Sequence, residues 1–333
     1  MNHTTYDGLL MFSGGLDSTI AGHILKSQGC HLLALHFVLP FYSGIGAPHG
    51  EIRSFAEALD IPLRIVEEGE AFYAMVRSPQ FGFGKNANPC MDCRIHRLKA
   101  ARVIMEEEHI PFIVTGEVIG QRPMSQRLSC LQLIERRTGL EGRLLRPLSA
   151  KRLEPTIPEQ NGLVDRSRLL DWSGRSRQPQ LRYARNFGLR HTPPAGGCIL
   201  TNELSAGRYL TLVKRFPEMS LKDFRLIAYG RHFILDDRCR VVIARDDPEN
   251  DVIEQLAGPE DLLFDCADTP GPLGIGRGEF DEPAVFTVAA MVARYSRARS
   301  EKDVRVRVYR TTGEEKVVTV APATPEQCEA LRI

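Results

Sequence analysis

A chain of 333 residues, 43% apolar and 26% charged, has material for two domains with cores of their own. No apolar run is long enough to span a membrane, and the first residues lack the basic and apolar parts of a signal peptide. The expected location is therefore the cytoplasm, with no membrane partner. The formal net charge of +1 conceals a segregation: residues 121–217 carry 18 Lys/Arg against 7 Asp/Glu, while residues 1–120 carry 9 against 13 and residues 218–333 carry 16 against 22. An arginine-rich middle segment calls for a polyanionic partner, for which RNA is the natural candidate.

Residues 8–12 read as a short buried strand. Phe12-Ser13-Gly14-Gly15-Leu16-Asp17-Ser18-Thr19 then leads into a helix with Ile20, Ile24 and Leu25 on one side and Ser18 placed to cap it. Gly14 and Gly15 let the backbone turn tightly, so that free N–H groups and a helix N-terminus face an anion such as phosphate. No Gly-Lys-Ser/Thr follows, which excludes a Walker loop. Next come a strand over 31–39, a helix over 51–59, a strand over 63–66, a helix over 94–107 and strands over 112–115 and 144–148. This alternation predicts an α/β domain over residues 1–150, a doubly wound, mostly parallel sheet. Ligands of such sheets sit beyond the carboxyl ends of the strands, so His36, Phe37 and Thr115-Gly116-Glu117 are expected to border the rest of that ligand.

Residues 151–217 read as a basic helical extension, with helices over 166–172, 177–187 and 202–216 and a small-residue turn, Pro193-Pro194-Ala195-Gly196-Gly197-Cys198. Beyond residue 217 the texture turns β-rich, with strands expected over 224–228, 240–244, 261–265, 304–309 and 316–320 and a helix over 283–299. A smaller α+β domain over 218–333 follows from this pattern.

Of eight cysteines, Cys90 and Cys93 form a CxxC pair just before the long helix. There the helix N-terminus, with Arg94 and Arg97, is expected to favour the thiolate. One CxxC cannot close a tetrahedral zinc site, so a third partner is needed, and Cys198 in its Gly-Gly-Cys turn is the best candidate. Three such thiols could ligate three irons of a [4Fe–4S] cluster, or one could carry a persulfide that another resolves. Cys30, Cys130, Cys239, Cys266 and Cys328 read as core thiols. The histidines form no ligand cluster.

The Ser-Gly-Gly-x-Asp-Ser turn resembles the PP-loop of ATP pyrophosphatases. Together with Asn-Pro-Cys-x-x-Cys, Thr-Gly-Glu and the Gly-Gly-Cys turn, it makes residues 8 to about 215 similar to the tRNA thiouridine synthetases, with their adenine nucleotide α-hydrolase-like fold. The resemblance implies that ATP adenylates a base carbonyl oxygen, pyrophosphate leaves, and sulfur replaces the activated oxygen. It places ATP and Mg²⁺ on Ser13, Gly14, Gly15, Asp17, Ser18, His36, Phe37 and Gly116, with Cys93, Cys198, Cys90 and Asp17 in catalysis. The chain departs from the persulfide-using 2-thiouridylases, which have Asp where Cys90 stands. That substitution favours the cluster-dependent branch, with Cys90, Cys93 and Cys198 as ligands. The relatives' Thr-Gly-His…Asp-Asp is absent, which leaves Glu117 and Asp17 as substitutes. Residues 220–330, with Tyr229-Gly230-Arg231-His232-Phe233, resemble an NFACT-R-type RNA-binding domain, where Arg294, Arg297, Arg299, Arg305, Arg307 and Arg310 form a basic strip expected to hold tRNA together with the middle arginines.

The resulting expectation is an ATP-dependent tRNA sulfurtransferase giving 4-thiouridine or 2-thiouridine, fed by sulfide or a persulfide carrier. Its rivals are a PP-loop amide-forming ligase, which leaves the cysteines idle, and a non-catalytic RNA-binding factor, which leaves the phosphate turn idle.

Overall fold

The computed structural model describes residues 5–42, 49–193 and 198–333. These fall into two compact units. The first runs to Leu39 and then on to Cys198; the second takes Pro40–Tyr42 and Ile199–Ile333. The segment 151–217 is thus divided, its first part belonging to the first unit and residues from Ile199 onward to the second. No helix among the described residues is long and apolar enough to cross a membrane.

The first unit is a five-stranded, all-parallel sheet in the order β3-β2-β1-β4-β5. Its strands are β1 (Gly8–Met11), β2 (Leu32–Val38), β3 (Leu63–Glu67), β4 (Phe112–Val114) and β5 (Leu144–Leu145). Helices α1 (Leu16–Lys26), α2 (His49–Ala58), α3 (Glu70–Arg77), α4 (Cys90–Glu107), α5 (Leu128–Thr138), α6 (Ile157–Gln160) and α7 (Gln178–Asn186) surround it. Successive strand residues feed opposite faces. Leu10, Ala34 and Val114 join one core with Ile20, Ile24 and Phe55, and Leu9, Leu33 and Ile113 join the other with Ile95, Leu98 and Ile134. Each such buried Leu, Ile or Phe contributes about 1.5–3 kcal/mol. Leu169, Trp172, Leu181 and Tyr183 pack into the first core, which is why the segment after residue 150 stays with this unit.

Two expectations change here. Residues 166–172 form only a 3₁₀ turn, Arg166–Arg168, capped by Asp165; Leu169 then turns extended and the Leu170 and Trp172 N–H groups donate to the Pro147 and Leu148 carbonyls. The strand expected over 144–148 stops at Leu145, and the chain then turns so that Ser149 N reaches the Arg146 carbonyl.

The second unit carries a six-stranded antiparallel sheet in the order β11-β10-β8-β9-β7-β6. Its strands are β6 (Arg231–Ile234), β7 (Cys239–Ile243), β8 (Leu262–Cys266), β9 (Gly274–Gly278), β10 (Val304–Tyr309) and β11 (Glu315–Val320). Its helices are α8 (Glu203–Arg215), α9 (Leu221–Leu226), α10 (Asp247–Leu256), α11 (Glu282–Tyr295) and α12 (Pro325–Leu331). Residues 224–228, expected as a strand, lie instead in and after helix α9. A reciprocal capping box between Ser220 and Asp223 starts that helix. Tyr209 of α8 packs edge-on against Phe224, so α8 belongs to this unit's core. Asp223 is buried between Arg277 and Arg240, at 2.8 and 2.6 Å, and their charge holds its carboxyl well below the usual range against the opposing effect of burial.

Candidate active site

The sheet order reverses between β1 and β4, and in open parallel sheets this is where ligands bind. The loops that meet there are residues 12–15 after β1 and 115–117 after β4. Helix α1 begins after Gly15, not at Ser18. Ser18 sits inside the first turn, where its hydroxyl donates to the Gly15 carbonyl at 3.0 Å and accepts from the Ser13 N–H at 3.3 Å. Ser13 Oγ accepts from Gly15 N–H at 3.3 Å and lies 3.2 Å from Ser18 Oγ. The two serines thus fold the loop upon itself at the head of a helix. Gly14 has φ +70°, a conformation that favours glycine.

Gly116 explains the Thr-Gly-Glu segment. A Cβ there would lie 2.5 Å from the Asp17 carbonyl carbon and 2.6 Å from Ser18 N, so the β4 loop rests directly on the α1 backbone. Asp17 Oδ2 accepts from Gln121 Nε2 at 2.7 Å, and its Oδ1 is buried without a hydrogen-bond partner. An orphaned buried carboxylate oxygen beside a phosphate-type loop suits a hard cation such as Mg²⁺. Thr192 closes the other side: its N–H and hydroxyl both donate to the Gly14 carbonyl, at 2.8 and 3.3 Å. His36, expected near the adenine, has Nδ1 2.9 Å from the Phe12 carbonyl, which ties the end of β2 to the start of the loop.

Glu117, the other expected substitute, is bound into ion pairs. It is 2% exposed, accepts from Thr115 Oγ1 at 3.1 Å and Arg146 Nε at 3.0 Å, and has Arg94 Nε 3.2 Å away. Burial alone would raise its pKa, but Arg94 and Arg146 outweigh it and hold it below the ordinary value. Such a group stabilises the fold above its unfolded pKa of about 4.5 and loses that contribution as pH falls through the lower folded value. Glu117→Gln leaves Arg146 buried beside a neutral amide and is expected to cost about 3–5 kcal/mol. Denaturant unfolding at pH 7 and at pH 3 checks this, the difference between variant and parent shrinking at the acid end.

Cys90 and Cys93 stand in the first turn of α4 rather than ahead of it. Asp92, buried between them in sequence, accepts from the N–H groups of Gln80 and Phe81 at 2.8 and 3.1 Å and pins the preceding loop. Asn88 Nδ2 lies 3.0 Å from Cys90 Sγ. Burial pushes the Cys93 thiol up, and Arg97 and Arg94 offset this only in part, so burial overrides the thiolate-favouring influence expected of a helix start. Arg97 is held by Glu68 Oε1 at 2.8 Å and lies over the Phe37 and Phe72 rings. It is within electrostatic reach of both Cys93 and Cys198, which places Cys198 in the same neighbourhood. Among the described residues no three His, Cys, Asp or Glu side chains form a ready-made metal site, so Cys90, Cys93 and Cys198 are not assembled as a ligand set. Residues 194–197 of the expected Gly-Gly-Cys turn lie outside the described residues.

The chain of contact from loop to thiols is continuous. Gly116 touches Asp17 and Ser18, Glu117 pairs with Arg94, and Arg94 follows Cys93. Glu68, Gln121, Gln180 and Thr192 join the site only in three dimensions, and none of them is among the residues expected from the sequence. Only Gln121 carries any signal, through its place behind Thr-Gly-Glu.

Residues 3–154 match the family model described as thiamine biosynthesis protein (ThiI), and residues 230–332 that of the NFACT protein RNA binding domain. A probable tRNA sulfurtransferase of Moorella thermoacetica is 33% identical over 156 residues, 43% of this chain and 36% of that protein. A tRNA-specific 2-thiouridylase of Clostridium botulinum is 33% identical over 116 residues, 32% of this chain and 33% of that protein. The chain spans about a third of the length of these relatives. A solved 4-thiouridine synthetase bound to RNA and ATP aligns at TM-score 0.42 and 21% identity, over 67% of this chain and 53% of that one. The chain thus joins a region similar to the ThiI family, residues 3–154, to one similar to the NFACT protein RNA binding domain, residues 230–332.

Proposed function

We propose that this protein is an ATP-dependent tRNA sulfurtransferase acting on a uridine carbonyl, with release of pyrophosphate and formation of 4-thiouridine or 2-thiouridine. The observation that carries the reading is the Gly116–Glu117 bridge, which joins the phosphate loop at Asp17 and Ser18 to the thiol-bearing turn of α4 through Arg94. A carbonyl oxygen is a poor leaving group until adenylated, so nucleotide and sulfur must meet at one base. The names of the relatives support the same chemistry.

Residues 13–18 would bind the ATP phosphates at the start of α1, the Ser13 and Gly15 N–H groups being used within the loop to shape it, and Asp17 would present an oxygen to Mg²⁺. Arg97 lies within electrostatic reach of Cys93 and Cys198, and a cation there suits an anionic sulfur donor, sulfide or a carrier's persulfide. Three thiols are also the donor chemistry of a [4Fe–4S] cluster with one open iron, which would supply bound sulfide. Since the three are not assembled as they stand, no step is assigned to a cluster. Anaerobic reconstitution with iron and sulfide, read by visible absorbance in the parent and in Cys198→Ser, tests that assignment without activity.

The function itself is tested by nucleoside mass spectrometry on unmodified tRNA incubated anaerobically with the protein, ATP, Mg²⁺ and sulfide. A thionucleoside that disappears in Cys93→Ser is the expected result. ATP cleavage to AMP with no thionucleoside, unaffected by Cys93→Ser, would instead identify an amide-forming ligase.

A further inference from the structure

Helix α7 lies beyond the part of the chain that matches the ThiI family model, yet it reaches the phosphate loop. Gln180, 1% exposed, donates from Nε2 to Gln121 Oε1 at 3.1 Å, and Gln121 donates from Nε2 to Asp17 Oδ2 at 2.7 Å. The order of this relay is fixed by chemistry. A carboxylate only accepts, so Gln121 must turn its NH₂ toward Asp17, which leaves its carbonyl to accept from Gln180. Six residues past α7, Thr192 holds the Gly14 carbonyl. The α7 segment therefore grips the loop at its glycine turn and at its carboxylate.

We propose that Gln121 and Gln180 are positioning residues for nucleotide binding: they fix Asp17 Oδ2 so that the unpaired Oδ1 faces the Mg²⁺ of Mg²⁺·ATP. This rests on the nucleotide reading given above. Both relay bonds are made, and the cost of burying two amides, with Gln180 Oε1 left unpaired, is accepted to make them. Asp17 Oδ1 keeps no protein partner although it is buried, which is the state expected of an oxygen reserved for a ligand. Partners that orient a metal-binding side chain are worth about ten- to a hundredfold in metal affinity. A role confined to packing would act on stability and would not distinguish metal-bound from metal-free nucleotide.

The test is titration calorimetry with α,β-methylene-ATP, in which the α–β bond resists cleavage, in Mg²⁺ and in EDTA. Gln180→Met and Gln121→Met keep side-chain length and remove the amide. Each is expected to weaken binding about tenfold in Mg²⁺ and to leave the weaker metal-free binding unchanged, with thermal melts confirming a folded chain. If one variant fails to fold, the other carries the test. Equal losses with and without Mg²⁺, or no loss in either, would overturn the assignment. A parent protein that does not bind the analogue at all would remove the nucleotide reading itself and this assignment with it.

Discussion

Replacing Gly116 by alanine is expected to abolish nucleotide binding, the largest effect of any single methyl group in the site. The added Cβ would stand 2.5 and 2.6 Å from the Asp17 carbonyl carbon and oxygen and 2.6 Å from Ser18 N. All three atoms are backbone in the first turn of α1, so no side chain can rotate away. The helix start must shift, and with it the N–H groups proposed to hold phosphate. A displacement of about 1 Å in a positioned site costs about a hundredfold, so affinity for α,β-methylene-ATP should fall by at least that. Overpacking should cost about 1–3 kcal/mol of stability as well, leaving a folded protein in which the two effects are separately measurable. Gly14→Ala is the instructive comparison. There the clash is with Ile52 Cδ1 at 2.4 Å, the movable tip of a side chain, and the penalty comes instead from φ +70°. Calorimetry with parallel denaturant unfolding distinguishes the two. Unchanged affinity in Gly116→Ala would mean that the β4 loop, not α1, gives way.

What the sequence reveals and what it conceals divide along physical lines. The strand–turn–helix at residues 8–26 is legible because its signals are local: an apolar run, two glycines, then a helical period. The CxxC at the head of a long helix is legible for the same reason. The start of α1 is harder to place because Ser18 is a common capping type, whereas Gly15 occupies that position and Ser18 bonds back to it. The apolar stretch around Phe224 reads as a strand because periodicity cannot separate a short strand from a short helix; the Ser220–Asp223 pair is the signal that decides it. Gln180 and Thr192 have no signal at all. A glutamine on an amphipathic helix looks like surface until tertiary packing buries it against a partner 59 residues away. The state of Cys93 is likewise invisible, since the helix start and nearby arginines are read from sequence but the desolvation that outweighs them is not.

The basic surfaces yield the second strong prediction, because the structure separates charges that composition lumps together. On β10, Arg307 is paired across the sheet with Asp265 of β8, Nε to Oδ1 2.9 Å, and Arg305 lies 3.2 Å from Asp268. Arg310 has Glu314 3.6 Å away. That strand's positive charge is largely cancelled in place, which removes Arg305, Arg307 and Arg310 from the expected basic strip and leaves Arg294, Arg297 and Arg299 without an ion pair among the described residues. From Trp172 to Asn202, by contrast, five arginines occur with no acidic residue. Arg182 and Arg185 on α7 are exposed and form no ion pair among the described residues, and Phe187 just beyond them is 55% exposed. Unpaired guanidinium groups beside an exposed aromatic ring are what an RNA backbone and an unstacked base require. Arg182→Glu with Arg185→Glu is expected to weaken unmodified tRNA binding by about two orders of magnitude at moderate salt and to reduce the slope of log affinity against log salt by about 2. Arg305→Glu with Arg307→Glu should leave affinity and slope nearly unchanged while lowering the melting temperature, because the carboxylate replacing the Arg307 guanidinium would oppose Asp265 directly. Fluorescence anisotropy over a salt series reads both pairs. The reverse pattern, loss on β10 and none on α7, would transfer RNA recognition to the antiparallel unit and leave the acid-free helix with only its buried face, turned toward Asp17, to account for.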